Sequence, residues 1–359
     1  MANEPSLSRC LHSRSARLGR PCSGTFELTP RCNFDCKMCY VHLSAQEQAE
    51  RGEELTADQW LAIGESACAE GMVFLLLTGG EPTIRPDFME IYRGLKKLGL
   101  LVSINTNGFL LQGELLRQLL DDPPHRINIS LYGTSNETYE ALCGVPAYDR
   151  VLANIKMLRE GGIDVKLNMT VTPENAPDMD RVAERARVLS AHLQTAMYLF
   201  PPVRVTGSSA FPQRMDPERV GELEAERLRR KLSERELEEL VRTLRYPDDP
   251  TEDCPVCRGG RSAFWLTWNG TMLPCGMLPT PFADVLSMGF SAAWRRIRDE
   301  VKGLRLPSKC LACRYRSICR VCLAKCYCET MSFDEPPAYA CRMTEALVRS
   351  LLCEGVSIQ

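Results

Sequence analysis

From Gly24 to about Pro202, short apolar runs alternate with longer amphipathic stretches, the pattern of strands each followed by a crossover helix. The apolar runs fall at Thr25 to Leu28, Met72 to Leu77, Leu101 to Asn105, Ile127 to Leu131, Val165 to Val171 and Ala196 to Phe200. Between the first two, Thr56-Ala-Asp-Gln59 has the side chains of a capping box and predicts a helix start. Pro86 suits the first turn of the next helix, where its missing N–H costs nothing. Six parallel strands with right-handed crossovers predict an α/β fold, a partial (β/α)6 barrel. In such barrels the reactive groups gather at the carboxyl ends of the strands.

Beyond residue 202 the pattern changes. Glu218 to Arg245 is rich in Glu, Arg and Leu, with Leu223, Leu228, Leu232, Leu237 and Leu240 at helical spacing, and predicts one or two amphipathic helices with solvated charged faces. Pro247-Asp-Asp-Pro250 ends that region. A Cys-dense stretch follows, with an Asn-Gly hairpin signal at Trp268-Asn-Gly-Thr271. The expected organisation is an N-terminal arm (1–23), a barrel core (24–202), a helical connecting region (203–250), a small Cys-rich domain (251–345) and a tail (346–359). Arg9, Arg14, Arg17 and Arg20 make the arm mildly basic and solvated. Trp265, Trp268 and Trp294 read as packing around the Cys-rich part.

Composition narrows the function. A net charge of -2 and a pI near 6.2 argue against a nucleic-acid partner, which calls for a basic excess. No apolar run approaches the roughly 20 residues that cross a bilayer, and the first residues lack a signal core, so no membrane partner and a cytoplasmic location are expected. The chain has 18 cysteines. They are clustered, and at about 5% of residues they are sparser than in disulfide scaffolds, so they predict metal.

The first cluster is Arg31-Cys-Asn-Phe-Asp-Cys-Lys-Met-Cys-Tyr40, directly after the first strand. Four thiolates hold an ordinary four-iron four-sulfur cluster. Cys32, Cys36 and Cys39 supply three and leave one iron open for a substrate or cofactor. The competing reading is half of a zinc site. A second motif, Val73-Phe-Leu-Leu-Leu-Thr-Gly-Gly-Glu-Pro82, runs a buried strand into Gly79, Gly80 and Glu81, and the glycines let backbone approach a ligand.

The Cys-x3-Cys-x2-Cys spacing, the aromatic Tyr40 and Gly-Gly-Glu-Pro together resemble the radical S-adenosylmethionine (radical SAM) superfamily. The resemblance implies a 4Fe-4S cluster whose open iron is chelated by the amino and carboxylate groups of SAM. One electron then releases methionine and a 5'-deoxyadenosyl radical, which abstracts hydrogen from the substrate. It also implies a low-potential electron donor such as flavodoxin or ferredoxin. Gly79 to Glu81 match the segment that contacts the SAM amino group, and Asn107, Ser130 and Asn168 resemble strand-end positions that touch SAM. The alternative for Ser130 and Asn168 is that they satisfy neighbouring backbone.

The C-terminal spacing Cys257-x12-Gly270-x4-Cys275, then Cys310-x2-Cys313-x5-Cys319 and Cys341, resembles the SPASM extension of that superfamily. By this resemblance Cys254, Cys257 and Cys275 bind a first auxiliary 4Fe-4S cluster, completed by Cys322 or Cys326, and Cys310, Cys313, Cys319 and Cys341 bind a second. Zinc knuckles are again the alternative. Cys10, Cys22, Cys68, Cys143 and Cys353 lack ligand spacing and read as small buried hydrophobes.

SPASM proteins mostly modify peptides or proteins, so the resemblance implies oxidative modification of a peptide or protein side chain. Cofactor or small-molecule biosynthesis is the alternative, and a noncatalytic iron-sulfur or zinc protein the third reading. Sulfatase-maturing relatives carry an Asp where this chain has Gly276, which argues against formylglycine formation. Only 31 residues precede Cys32, so a peptide substrate is expected to be recognised by the barrel and extension or by a separate partner.

Overall fold

The computed structural model describes residues 6–201, 214–245 and 257–353; Cys254 lies outside them. The chain divides into two compact units. Among the described residues, the first takes 6–196 and 258–303, and the second takes 197–201, 214–245, 257 and 304–353.

The first unit is built on one sheet. Strands β1 (Ser23–Glu27), β2 (Phe74–Thr78), β3 (Leu101–Thr106), β4 (Arg126–Ser130), β5 (Val165–Thr170) and β6 (His192–Ala196) pair in parallel in chain order, as the α/β partial barrel requires. The sixth strand lies earlier than the run Ala196 to Phe200 suggested. Residues beyond Ala196 leave the sheet, and Met197 and Leu199 are buried in spite of it, so their apolar character reports burial and not strand. The helix expected from Pro86 begins at Phe88, and the capping box forms as expected, Gln59 N–H donating to Thr56 Oγ1 and Thr56 N–H to Gln59 Oε1.

The sheet does not stop at β1. Strand β7 (Ala263–Leu266) pairs parallel with β1, and β8 (Thr271–Leu273) and β9 (Ala283–Asp284) continue it antiparallel, giving the order β6-β5-β4-β3-β2-β1-β7-β8-β9. The Asn-Gly turn joins β7 to β8, with Gly270 at φ +88, a conformation open to glycine. The hairpin therefore belongs to the barrel sheet, not to a separate Cys-rich domain. The expected arm is likewise structured. Ser6–Leu18 is a helix whose His12 is 5% exposed and hydrogen-bonds Ser262, while Trp294 Nε1 donates to Gly19 O.

Side-chain alternation along the strands gives the barrel two faces. Leu75, Leu77, Val102, Ile104, Ile127, Ile129, Val165 and Leu167 are each at most 2% exposed and form the apolar layer. The opposite face carries Asn105, Asn128, Ser130, Lys166, Asn168 and Gln194, all partly accessible or near the sheet edge. A polar barrel interior is costly unless a ligand or water meets it.

In the second unit, helices Pro217–Lys231, Glu234–Arg245 and Ala338–Cys353 share a core of Ala225, Leu244, Leu347, Val348 and Leu351, with Leu228, Leu237 and Leu240 packed against it. A Cβ on Gly221 would lie 2.3 Å from Met343 O, so glycine there permits the close helix approach. Residues 346–353, expected as a tail, are the last turns of the third helix and part of this core. No helix among the described residues is long and apolar enough to cross a membrane.

Candidate active site

The cysteine loop leaves the carboxyl end of β1 and is held by backbone. Leu28 N–H donates to Thr78 O, Gly80 N–H to Thr29 O at 2.7 Å and Glu81 N–H to Arg31 O at 2.9 Å. That approach needs both glycines. A Cβ on Gly79 would stand 2.6 Å from Thr29 O, and one on Gly80 2.3 Å from Arg31 O. Arg85, nearly buried, clamps the same segment by donating to Leu28 O, Leu55 O, Glu54 and Asp87, while Glu54 also pairs with Arg31 at 2.8 Å.

Within the loop the sulfurs already receive amides. Phe34 N–H points to Cys32 Sγ at 3.4 Å and His42 N–H to Cys39 Sγ at 3.2 Å. Such donors suit thiolates that ligate a metal. Without one, burial pushes the Cys32 thiol up to about 12 and raises that of Cys39 as well. The Cys36 thiol is raised by a hydrogen bond with Cys143 and by burial. Cys143, fully buried, thus stands against Cys36, a neighbour that spacing did not reveal. Asp35 N–H and Lys37 N–H reach Cys143 O and Leu142 O and tie the loop to the helix Asn136–Cys143.

Glu81 is fully buried. Its carboxylate accepts from Thr83 N–H and Oγ1, from Thr106 Oγ1 at 2.8 and 2.9 Å and from Asn107 N–H at 2.7 Å. Burial raises its pKa while these donors oppose the rise. Its part is to fix the ends of β2 and β3. Asn107, so fixed, donates to Asn33 Oδ1 at 2.8 Å and lies 3.9 Å from Cys32 Sγ. Gly79, Gly80, Glu81 and Asn107 are therefore joined to the cysteine loop.

Ser130 and Asn168 lie opposite each other on β4 and β5. Asn168 lines a cavity of about 290 Å³ inside the barrel, and its buried Oδ1 has no hydrogen-bond partner. An orphan acceptor facing a cavity is the signature of a group awaiting a ligand or water. Glu27, at the end of β1, is a fully buried carboxylate that accepts from Trp265 Nε1 at 2.7 Å. A charged residue ending an apolar strand just before Cys32 was the available signal for it. The three thiols, their amide donors and the glycine approach make a cradle that fits a cluster with one open iron.

In the second unit, Cys310, Cys313, Cys319 and Cys341 line one cavity of about 60 Å³ together with Tyr315 and Pro337. Burial holds the Cys310 thiol at about 11 and that of Cys326 at about 12. Cys326 has no exposed surface and hydrogen-bonds Cys310, whereas Cys322 interacts electrostatically with Cys257. Cys275 belongs to the first unit, just after β8.

The helix Leu323–Thr330 that follows Cys322 is anchored by Glu329, which pairs with Arg214 and accepts from Tyr198 Oη. Arg214 also stacks 3.5 Å over the Tyr339 ring.

Residues 26–186 match the family model described as the radical SAM superfamily. The chain is 30% identical over 342 residues to the AdoMet-dependent heme synthase of Methanosarcina barkeri, covering 88% of this chain and 94% of that protein. It is 38% identical over 181 residues to the probable GTP 3',8-cyclase of Saccharolobus solfataricus, a match spanning 49% of this chain and 56% of that one. Among solved structures, anSMEcpe with bound AdoMet aligns with a TM-score of 0.68 at 16% identity, covering 93% of this chain and 94% of that one. Streptococcus suis SuiB bound to the precursor peptide SuiA aligns at 0.66 and 17% identity, covering 95% and 82%. With its cysteine loop, its partial barrel and a relative matched along nearly its whole length, the chain belongs to the radical SAM superfamily, as an enzyme with a Cys-rich C-terminal region.

Proposed function

We propose that this enzyme acts in tetrapyrrole cofactor synthesis, on a heme-related macrocycle. The similarity to the heme synthase carries the reading, because it spans the barrel and the Cys-rich region alike. Similarity to the GTP cyclases covers about half of each chain and reports the shared barrel.

In this reading Cys32, Cys36 and Cys39 hold the 4Fe-4S cluster, and the Gly79–Gly80 backbone and Asn107 border the SAM site, with Ser130 and Asn168 reaching it from β4 and β5. When bound, the cluster and SAM supply an electron and a 5'-deoxyadenosyl radical that takes hydrogen from the substrate. Cys310, Cys313, Cys319 and Cys341 hold one auxiliary cluster. Cys254, Cys257, Cys275 and Cys322 hold the other, Cys322 being favoured over Cys326 by its interaction with Cys257. A low-potential flavodoxin or ferredoxin serves as donor.

Peptide modification is the second reading, supported by the fold shared with SuiB and anSMEcpe. Formylglycine formation fits least. A Cβ on Gly276 would stand 3.0 Å from the Trp265 ring, so an acid there has no room without moving the indole.

The test is 5'-deoxyadenosine release by anaerobically reconstituted protein with SAM and dithionite. Release stimulated by a carboxylated iron porphyrin, and not by peptides, supports the proposal. Stimulation by peptides alone refutes it, and no 5'-deoxyadenosine from fully loaded protein defeats both enzyme readings.

A further inference from the structure

Among the described residues, the polar interior of the barrel contains a cation with no counter-charge. Asn105, Asn128 and Lys166 face one another in register across β3, β4 and β5, and Asn168 and Gln194 do so across β5 and β6. All five line the cavity of about 290 Å³, and Lys166 is the only charged residue among those lining it. Asn128 Nδ2 spends one hydrogen bond on Asn105 Oδ1 at 2.7 Å. Lys166 Nζ donates to a neutral acceptor, Gln194 Oε1. Its remaining two N–H bonds have no acceptor among the described residues.

Arg126, whose charge reaches Lys166, is paired with Asp164 at 2.6 Å. Burial, and after it Arg126, hold the Lys166 pKa below the usual lysine value, so its charge lacks compensation in the ligand-free protein. Placing an ammonium on a strand interior without a carboxylate costs stability. A ligand bringing one negative charge would remove that cost. One ammonium among neutral amides matches a carboxylate, whereas a doubly charged phosphate calls for several cations or a guanidinium fork. The cavity is at the small end of ligand pockets, about 300–1,000 Å³, and has room for the arm of a ligand.

We propose that Lys166, flanked by the amides of Asn128 and Gln194, anchors a single carboxylate of the substrate. The identity of that carboxylate as a propionate arm rests on the tetrapyrrole reading above.

The test compares protoporphyrin, the metal-free ring of heme with its two propionates, and its dimethyl ester. Binding to reconstituted, SAM-loaded protein is followed by porphyrin fluorescence. The expected result is a preference of about tenfold or more for the free acid, lost in Lys166→Met and largely kept in Lys166→Arg. An undiminished preference in Lys166→Met would overturn the anchor while leaving the tetrapyrrole reading in place. So would a drop in SAM affinity of the same size, which would assign the carboxylate to SAM. If neither porphyrin binds the wild-type protein, the tetrapyrrole reading falls and the propionate anchor falls with it.

Discussion

Replacing Gly80 by Ala is the sharpest test of how the cysteine loop is positioned. The added Cβ would meet Arg31 O at 2.3 Å, Arg31 C at 2.7 Å and Pro30 O at 2.8 Å, all backbone and therefore unable to swing aside. Overpacking of this kind costs about 1–3 kcal/mol. Relief requires residues 30–31 to move off β2, which breaks the hydrogen bonds from Gly80 N–H and Glu81 N–H to Thr29 O and Arg31 O. At about 1 kcal/mol each, the total comes to roughly 3–5 kcal/mol. Because Arg31 adjoins Cys32, the displacement reaches the first sulfur directly. Gly80→Ala is expected to lower the unfolding free energy measured in urea by that amount and to lose SAM binding and 5'-deoxyadenosine release. The auxiliary iron should stay. Gly303→Ala, where nothing lies within 4 Å of the added carbon, is the control and should be neutral. A Gly80→Ala protein with unchanged stability and full SAM cleavage would refute the reasoning.

Three further outcomes are expected. Cys32→Ala, Cys36→Ala and Cys39→Ala each abolish SAM cleavage, whereas Cys143→Ala retains it; a wild-type cluster whose EPR spectrum ignores SAM, and responds to it only in Cys143→Ala, would make Cys143 a fourth ligand that closes the open iron. Cys322→Ala loses about one cluster's worth of iron and Cys326→Ala does not, as measured by iron and sulfide content, and the reverse pattern would exchange their roles. Arg214→Ala strands the Glu329 carboxylate, whose side chain is 11% exposed, and destabilises the second unit by about 3–5 kcal/mol, while the double change with Glu329→Met restores much of that in thermal unfolding.

The parts of this molecule that were legible in sequence are those written by local rules. The alternation of β1 to β5, the Thr56–Gln59 box and the Asn-Gly turn each depend on a few adjacent residues. So does the cysteine loop, whose three thiols fall within eight residues of one another. That the Glu81 carboxylate braces Thr106 and Asn107 is not legible in the Gly-Gly-Glu-Pro motif, because it depends on β2 and β3 lying side by side. Other features rest on long-range pairing that no local pattern encodes. The register of β7 on β1 joins residues some 240 positions apart, as Ser23 with Ala263 shows. Cys143 meets Cys36 only because its helix packs under the loop. The helix Ala338–Cys353 runs across the boundary expected at 345, because Leu347, Val348 and Leu351 find their partners Ala225 and Leu244 more than a hundred positions earlier.

The position of β7 also bears on how the chain is made. β1 leaves the ribosome some 240 residues ahead of β7, the neighbour that covers its outer edge and begins at Ala263. At roughly 5–20 residues per second of translation, that edge waits on the order of ten to fifty seconds with its amides and carbonyls unpaired, long enough to recruit strands from other nascent chains. Low-temperature or slow-translation expression lengthens the delay, so yield should depend on chaperones that shield the first strand more than on the stability of the finished protein.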